Sequence, residues 1–475
     1  MNIKQLLQNI APTEFDFSVE GLCLNAQQVQ NGDLFIALQG KTVHGSDYID
    51  QAIDNGCVCV LVDSKDIECA VPTIRIDDLS IYLPALATTF YDDATKVNII
   101  GITGTNGKTS VACFVSQLLT MLGTKNGLIG TLGISNSEQN FSQTTPNIFT
   151  LYRTLDGYKK NGIDTVVLEV SSHGIDQNRI AGLNITHAVF TNLTQDHLDY
   201  HQNLTTYQKV KEQLFALPSV QSVILNRDDA HYLDFEAASK GKKITDYSLE
   251  NFTDIKTTEQ GFLTTLNGYV FEVPFLGKFN LSNILASFNT LKALGFSDEK
   301  VIPLLHKLMS PPGRMQKNPE KLIWIDYAHT PDALENAITT LKTHYPEHAI
   351  RVVFGCGGNR DQDKRSKMGK IASKLANTLI LTNDNPRNED PLAIINDILN
   401  GIDDSYEVDI TEDRQLAIEG AVIAIDEEEC LLIAGKGHET TQTFKNKTVE
   451  SNDNDIVLAA IIEGARLKKI KNRQG

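Results

Sequence analysis

One stretch constrains the fold of this chain more than any other. Asn98-Ile-Ile-Gly-Ile-Thr103 is an apolar run of strand length, and it passes directly into Gly104-Thr-Asn-Gly-Lys-Thr109. Beyond the loop, Val111, Val115, Leu118 and Leu122 recur at helical spacing on one face. A buried strand, a glycine loop and an amphipathic helix in that order predict a parallel α/β layer, with the helix N-terminus aimed at whatever the loop holds. Gly104 and Gly107 let the backbone curl so that its N–H groups converge on an anion. Lys108 is then placed to reach the β- and γ-phosphates of a nucleotide, and the Thr109 hydroxyl to bind Mg²⁺. Ile102 stands where the strict GxxxxGK[ST] pattern has its first glycine, so the loop is a variant of that pattern.

The rest of the chain continues the theme. Short apolar runs alternate with helix-period stretches, with no internal repeat and no low-complexity tract. Two places read as boundaries: the polar segment Tyr91–Val97, and Met309–Met315 with Pro311, Pro312 and Gly313. They predict three domains, the number that 475 residues suggest: 1–97, a small N-terminal α/β unit; 98–310, a central P-loop ATPase-like parallel sheet; and 311–475, a Rossmann-like unit. A net charge of −17 argues against a chain that coats nucleic acid. Seven scattered cysteines without a CxxC pair argue against a disulfide framework and a zinc knuckle. No apolar run approaches the ~18 residues of a bilayer span, and no signal-peptide pattern is visible, so a cytoplasmic protein without membrane insertion is expected.

Chemistry-bearing residues gather at predicted strand ends. Asp164–Val170 ends in Glu169, followed by Ser-Ser-His-Gly, and a carboxylate there faces the crevice where α/β sheets bind ligands. The run His187–Leu193 leads into Thr194-Gln-Asp-His-Leu-Asp-Tyr-His201. His197 and His201 are four apart, but Leu198 replaces the glutamate of a zinc-protease helix. Tyr207–Phe215 has helical period, and by composition Lys209 and Lys211 read as solvated lysines. Downstream lie Gly277-Lys-Phe-Asn-Leu-Ser-Asn283, Arg314, Asp326-Tyr-Ala-His-Thr-Pro331, the strand-to-glycine loop Arg351–Arg360, Leu381-Thr-Asn-Asp-Asn-Pro-Arg387 and Ala434-Gly-Lys-Gly-His-Glu439. Each alone reads as a turn.

TGTNGKT followed by these segments in this order resembles the Mur ligase family, relatives of folylpolyglutamate synthetase, over nearly the whole chain. The resemblance implies an ATP site of Gly104, Thr105, Asn106, Gly107, Lys108, Thr109 and Ser110, with Asn283 against the adenine and Arg314, Asp326 and His329 closing over the nucleotide. It implies one Mg²⁺ on Thr109 and a second on Glu169, His197 and a CO₂-modified (carbamylated) Lys211, four residues after Tyr207. An anionic carbamate is a hard oxygen ligand suited to Mg²⁺. Lys108, Glu169, His197 and Lys211 are thereby the expected catalytic set.

For a UDP-muramoyl peptide the matching residues are Thr144, Thr145, Ser171, Gln177 and Arg179, and the N-terminal stretch Val29–Gly40 with His44-Gly45 also resembles the family's. Asn25-Ala26-Gln27 departs from the family's DSR, removing a serine hydroxyl from the uridine end. The DNPR form of Asp384-Asn385-Pro386-Arg387 resembles the members that add meso-diaminopimelate, with Arg360, Gly435 and Glu439 completing the amino-acid pocket. The implied activity is ATP-dependent ligation of that amino acid to the D-glutamate of a UDP-muramoyl dipeptide through an acyl phosphate, by a monomer that does not bind nucleic acid. A lysine-adding ligase, folylpolyglutamate synthetase and a nucleotide-binding regulator without catalysis are the rivals. DNPR argues against the first and the muramoyl-peptide matches against the second. The retained Lys108, Glu169, His197 and Lys211 argue against the third. No side chain stands out as a general base for the incoming amine.

Overall fold

The computed structural model describes residues 1–40, 43–63, 67–135 and 143–474, with side chains through Arg466. The N-terminal region forms a parallel sheet of β1 (Gly21–Cys23), β2 (Asp33–Ala37), β3 (Cys59–Val62) and β4 (Thr73–Arg75), in that spatial order. Its strands are covered on both faces. Leu34, Ile36, Cys59 and Leu61 join one core and Phe35, Ala37, Val60 and Val62 another, as the alternation of side chains along a strand requires. The first core runs on into the next domain through Ile148, Leu151 and Tyr152 of the helix Ile148–Lys160. Arg153 of that helix pins the junction, its Nη2 donating to Asp33 Oδ1 at 2.7 Å and its Nε to the Tyr91 hydroxyl at 3.1 Å.

The central sheet comprises β5 (Asn98–Thr103), β6 (Asn126–Gly130), β7 (Gly133–Ile134), β8 (Thr165–Glu169), β9 (Ile185–Phe190), β10 (Ser222–Asn226) and β11 (Lys243–Tyr247). The spatial order is β11-β10-β9-β5-β8-β6-β7, all parallel except β7. From β5 the chain first builds β6 and β8 on one side and then β9 to β11 on the other. The crevice outside the carboxyl ends of β5, β8 and β9 is therefore a topological switch point. Ile100 and Ile102 of β5 pack against Val111, Val115 and Leu118 of the helix Lys108–Met121, as the sequence predicts. An antiparallel sheet of β12 (Phe252–Thr258), β13 (Gly261–Leu266) and β14 (Tyr269–Val273) adds Phe252, Phe262 and Phe271 to the same core.

The C-terminal sheet holds β15 (Gln316–Lys317), β16 (Ile323–Asp326), β17 (Ala349–Phe354), β18 (Thr378–Leu381), β19 (Val408–Ile410) and β20 (Glu429–Ala434). Its order is β15-β16-β20-β17-β18-β19, with only β15 antiparallel. β17 and β20 flank a second switch point, and the loops after β16, β17, β18 and β20 leave the sheet on the same side. A ribbon of β21 (Thr441–Phe444) and β22 (Lys447–Glu450) follows. The three-domain α/β architecture stands as expected. Among the described residues no helix is long and apolar enough to cross a membrane.

Candidate active site

The glycine loop is held from behind by β9 and its following residues. Gly104 and Gly107 have φ of 150° and 84°, and a Cβ at either would strike Thr191 Oγ1 or Asn283 Oδ1. Asn106 N donates to Asn192 Oδ1 at 2.9 Å, and the Thr105 hydroxyl donates to Thr194 O at 3.1 Å. Lys108 folds back over the loop, giving hydrogen bonds to Gly104 O (2.9 Å) and Thr105 O (2.8 Å). Burial lowers its affinity for a proton, while Glu169 and Asp196 oppose that effect. Its charge is thus held close to the space the loop encloses.

At the end of β8, Glu169 is wrapped in donors. Its Oε2 accepts from the hydroxyls of Thr109 (2.9 Å) and Thr131 (3.0 Å), and its Oε1 from Thr131 N (2.9 Å). Arg314 reaches the same place from beyond the domain boundary. Its Nη2 donates to Thr109 Oγ1 at 3.2 Å while its guanidinium lies 4.4 Å from the centre of the Tyr327 ring. Asp326 sets the segment by accepting from Met315 N at 2.6 Å.

Lys211 is 1 % exposed, so the composition-based reading of a solvated lysine is wrong for it and right for Lys209, which pairs with Glu212 at 2.8 Å on the surface. Lys211 Nζ donates to Gly104 O at 2.9 Å and lies 4.5 Å from the Tyr207 ring centre. Burial, then the neighbouring Lys108 charge, hold its ammonium well below its ordinary pKa. His197 sits in a left-handed turn (φ 54°), with Nε2 3.3 Å from Asp196 Oδ2 and its ring 4.9 Å from that of His173. Burial pushes His197 down to about 3 and His173 to about 4, so both are neutral imidazoles near pH 7.

Three adjoining chambers open over these groups. The first, about 260 Å³, lies between the domains and is lined by Gly107, Ser110, Asn283, Arg314, Asp326 and Ala333, among others. The central one, about 320 Å³, is lined by the loop residues Thr105 to Thr109, by Thr144, Ser171, His173 and Arg179, and by His197, His329 and Arg360. The third, about 100 Å³, is lined by Arg360, Asp384, Asn385, Arg387, Gly435 and Glu439. Arg314 and Tyr327 are shared by the first two chambers, and Asp196, His197, His329 and Arg360 by the last two.

The third chamber has opposed charges. Arg387 Nη1 donates to Gly358 O at 2.8 Å, and among the described residues neither Arg387 nor Arg360 has a carboxylate within ion-pair distance. Burial and the neighbouring Arg360 both disfavour the Arg387 charge. Facing them, Glu439 Oε2 accepts from Asn385 Nδ2 (2.8 Å) and Lys436 Nζ (3.3 Å), and Asp384 Oδ1 accepts from Asn385 N (2.7 Å).

Most residues expected from the sequence meet in these chambers, with some differences in what they present. The Thr145 hydroxyl is spent on Glu169 O (2.8 Å) and Ser171 Oγ (3.1 Å), and Gln177 Oε1 on Arg179 Nη2 (2.6 Å). Thr144, Ser171 and Arg179 face the chamber. Glu169 and Lys211 stand behind its wall, on Thr109 and Gly104 respectively. His329, grouped with the nucleotide from sequence, lines the central and third chambers rather than the first. Sequence reading passed over Thr131, His173, Asp196 and Tyr327. His173, Asp196 and Tyr327 lie inside the motifs of the sequence, whereas Thr131, after a short strand, carries no local signal. At the other end of the molecule, Ala26 is buried and Asn25 Oδ1 caps a short turn by accepting from Gln27 N at 3.0 Å. His44 Nε2 meets Asp63 Oδ1 at 2.8 Å.

Comparisons with known proteins agree with this geometry. Family models described as Mur ligase middle domain, Mur ligase glutamate ligase domain, and Mur ligase family catalytic domain match residues 102–291, 313–437 and 18–91. The UDP-N-acetylmuramoyl-L-alanyl-D-glutamate–2,6-diaminopimelate ligase of Coxiella burnetii is 40 % identical over 463 residues, covering 92 % of this chain and 94 % of its own. The enzyme of the same name from Wigglesworthia glossinidia brevipalpis is 36 % identical, covering 96 % and 98 %. A solved structure of a ligase with that name superposes with a TM-score of 0.63 at 32 % identity, covering 98 % of this chain and 99 % of its own. The MurF ligase of Thermotoga maritima in complex with ADP shares the fold at TM-score 0.66 and 17 % identity, covering 95 % and 99 %. With family models matching in all three domains and relatives 36–40 % identical over nearly its whole length, the chain belongs to the Mur ligase family of ATP-dependent ligases.

Proposed function

We propose that this enzyme joins meso-diaminopimelate to the D-glutamate of UDP-N-acetylmuramoyl-L-alanyl-D-glutamate, forming ADP and phosphate, in peptidoglycan precursor synthesis. The observation that carries the reading is the third chamber. Two guanidiniums without carboxylate partners among the described residues face Asp384 and Glu439, a complement to an amino-acid centre carrying both a carboxylate and an ammonium. Meso-diaminopimelate presents such a centre at its far end, where lysine presents only a cation. The reading also takes the domains as 1–97, 98–310 and 311–475, and the enzyme as a cytoplasmic monomer acting on water-soluble substrates.

ATP occupies the interdomain chamber, with Asn283 toward the adenine and its phosphates on the loop residues Gly104 to Ser110. The dipeptide's D-glutamate carboxylate enters the central chamber, where Thr144, Ser171 and Arg179 hold it by hydrogen bonds and charge. The carboxylate attacks the γ-phosphate, and Lys108 and Arg314 offset the charge that spreads over the transferring phosphoryl group. The meso-diaminopimelate amine then attacks the acyl carbon from the third chamber, and phosphate leaves. Closure of the C-terminal domain over the central one excludes water from the acyl phosphate.

The donor set fits Mg²⁺: Thr109 and Glu169 are hydrogen-bonded oxygen donors and His197 is neutral. Burial and the Lys108 charge favour the neutral Lys211 amine, the form that takes up CO₂. Thr109, and Glu169, His197 and a carbamylated Lys211, would hold Mg²⁺, which would supply positive charge to the phosphoryl transfer. Phosphate release from ATP, measured with the UDP-muramoyl dipeptide and a panel of amino acids, tests the reading. Release driven by meso-diaminopimelate alone is expected, and equal use of lysine overturns it.

A further inference from the structure

The amine that completes the reaction arrives in water as an ammonium and must lose a proton before it can attack. His329 stands where that proton has to go. It lines both the chamber that takes the amino acid and the chamber that holds the acyl phosphate. Its Nδ1 lies 2.8 Å from Tyr327 O. A carbonyl oxygen only accepts, so Nδ1 carries the ring hydrogen and Nε2 is left with a bare lone pair. Nε2 makes no hydrogen bond among the described residues. Asp196 Oδ2, at 3.9 Å, is too far to accept one but near enough to stabilise an imidazolium.

We infer that His329 is the general base of the ligation, taking a proton at Nε2 from the amino acid's ammonium. The inference rests on the proposed reaction. One N–H proton passes to Nε2, and the freed nitrogen lone pair forms the C–N bond at the acyl carbon. As the tetrahedral adduct collapses, the bond between the acyl carbon and the phosphate oxygen breaks and its electron pair leaves with phosphate. The second proton shed by the nitrogen goes to that phosphate, and the imidazolium returns the first to solvent.

The surroundings fit a base that is neutral at rest. Burial lowers the His329 pKa to about 4, Lys364 and Arg314 act in the same direction, and Asp196 and the Tyr327 carbonyl oppose them. Lys364 also fixes the loop by donating to His329 O at 2.8 Å. Neighbouring candidates are less suited. Asp196 is turned toward its neighbour: its Oδ1 accepts from His197 N at 2.8 Å and its Oδ2 lies 3.3 Å from His197 Nε2. His197 faces the same chambers but is among the groups assigned to Mg²⁺.

Hydroxylamine separates the steps, because it is largely unprotonated at neutral pH and needs no base to attack an acyl phosphate. His329→Gln should lower kcat for meso-diaminopimelate by about 10²- to 10⁴-fold, the range of general-base catalysis. Hydroxamate formation from dipeptide, ATP and hydroxylamine should fall far less. The ligation deficit should shrink as pH rises and the free amine appears in solution. Stabilisation by ADP in a melting experiment confirms a folded variant, and His329→Asn provides a second one. Equal loss of both reactions, or an unaltered ligation rate, overturns the assignment. If wild type itself failed to use meso-diaminopimelate, the substrate reading would fall instead.

Discussion

Arg414 and Asp453 form a two-pronged ion pair that no solvent reaches: Nε donates to Oδ1 at 2.8 Å and Nη2 to Oδ2 at 2.7 Å, with both side chains 0 % exposed. The same guanidinium donates to Asn383 O at 3.3 Å and Ala434 O at 3.0 Å. It thereby ties together the ends of β18 and β20, from which Asp384–Arg387 and Gly435–Glu439 depart. Removing one partner leaves a buried charge uncompensated, a loss of about 3–5 kcal/mol. Arg414→Met and Asp453→Asn should each lower the melting temperature by several degrees, and in the surviving folded protein raise KM for the amino acid more than for ATP. An unchanged KM ratio would separate this pair from the amino-acid loops.

Lys211 shows what was readable in the sequence and what was not. Tyr207, Val210, Lys211 and Leu214 follow i, i+3, i+4, i+7 spacing, so the helix Leu204–Ala216 carries Lys211 on its buried stripe and Lys209 away from it. Composition hid that distinction; periodicity held it. β5 and its helix lie where the apolar runs put them, because a strand buried on both faces leaves a continuous apolar signature. Thr131 was invisible because its value comes from Glu169, 38 positions away, across a fold the sequence does not display locally. Thr145 was placed by motif, yet its hydroxyl is consumed by backbone and a neighbouring serine. A motif identifies a place in the fold, and the hydrogen bonds there decide which atoms remain free.

Lys108→Ala removes the cation folded over the glycine loop. Ligation should fall at least ~10²-fold, the scale of one preorganised electrostatic group at a site of developing charge. Near-normal turnover in a folded Lys108→Ala protein, measured by phosphate release, would refute the assignment of the loop to the transferring phosphates.

The proposed carbamylation of Lys211 carries two linked expectations. Lys211→Ala should lose most activity, and short carboxylic acids such as acetate should restore part of it by supplying the missing anion. Exhaustive removal of CO₂ and bicarbonate should depress wild type and leave the variant's residual rate unchanged. Intact mass or crystallographic density showing an unmodified Lys211 in fully active enzyme would contradict the carbamate.

On the proposed function, selectivity would rest on Arg387 and Arg360, which have no carboxylate within ion-pair distance among the described residues. The distal carboxylate of meso-diaminopimelate can be held bidentately by a planar guanidinium, whereas bound lysine brings an ammonium toward two arginines. A charged hydrogen-bonded pair left without one partner loses about 2–5 kcal/mol, or roughly 30- to several thousand-fold in kcat/KM. Wild type should therefore prefer meso-diaminopimelate over lysine by a factor in that range. Arg387→Ala should lose most of that preference while its KM for ATP changes little, because Arg387 lines only the third chamber. Asp384→Asn should weaken the same substrate from the other side, by removing the negative charge that faces the distal ammonium. The decisive measurement is kcat/KM for both amino acids on all three proteins. A preference that survives Arg387→Ala would show that selection is made at the amine end, next to Asp196 and His329.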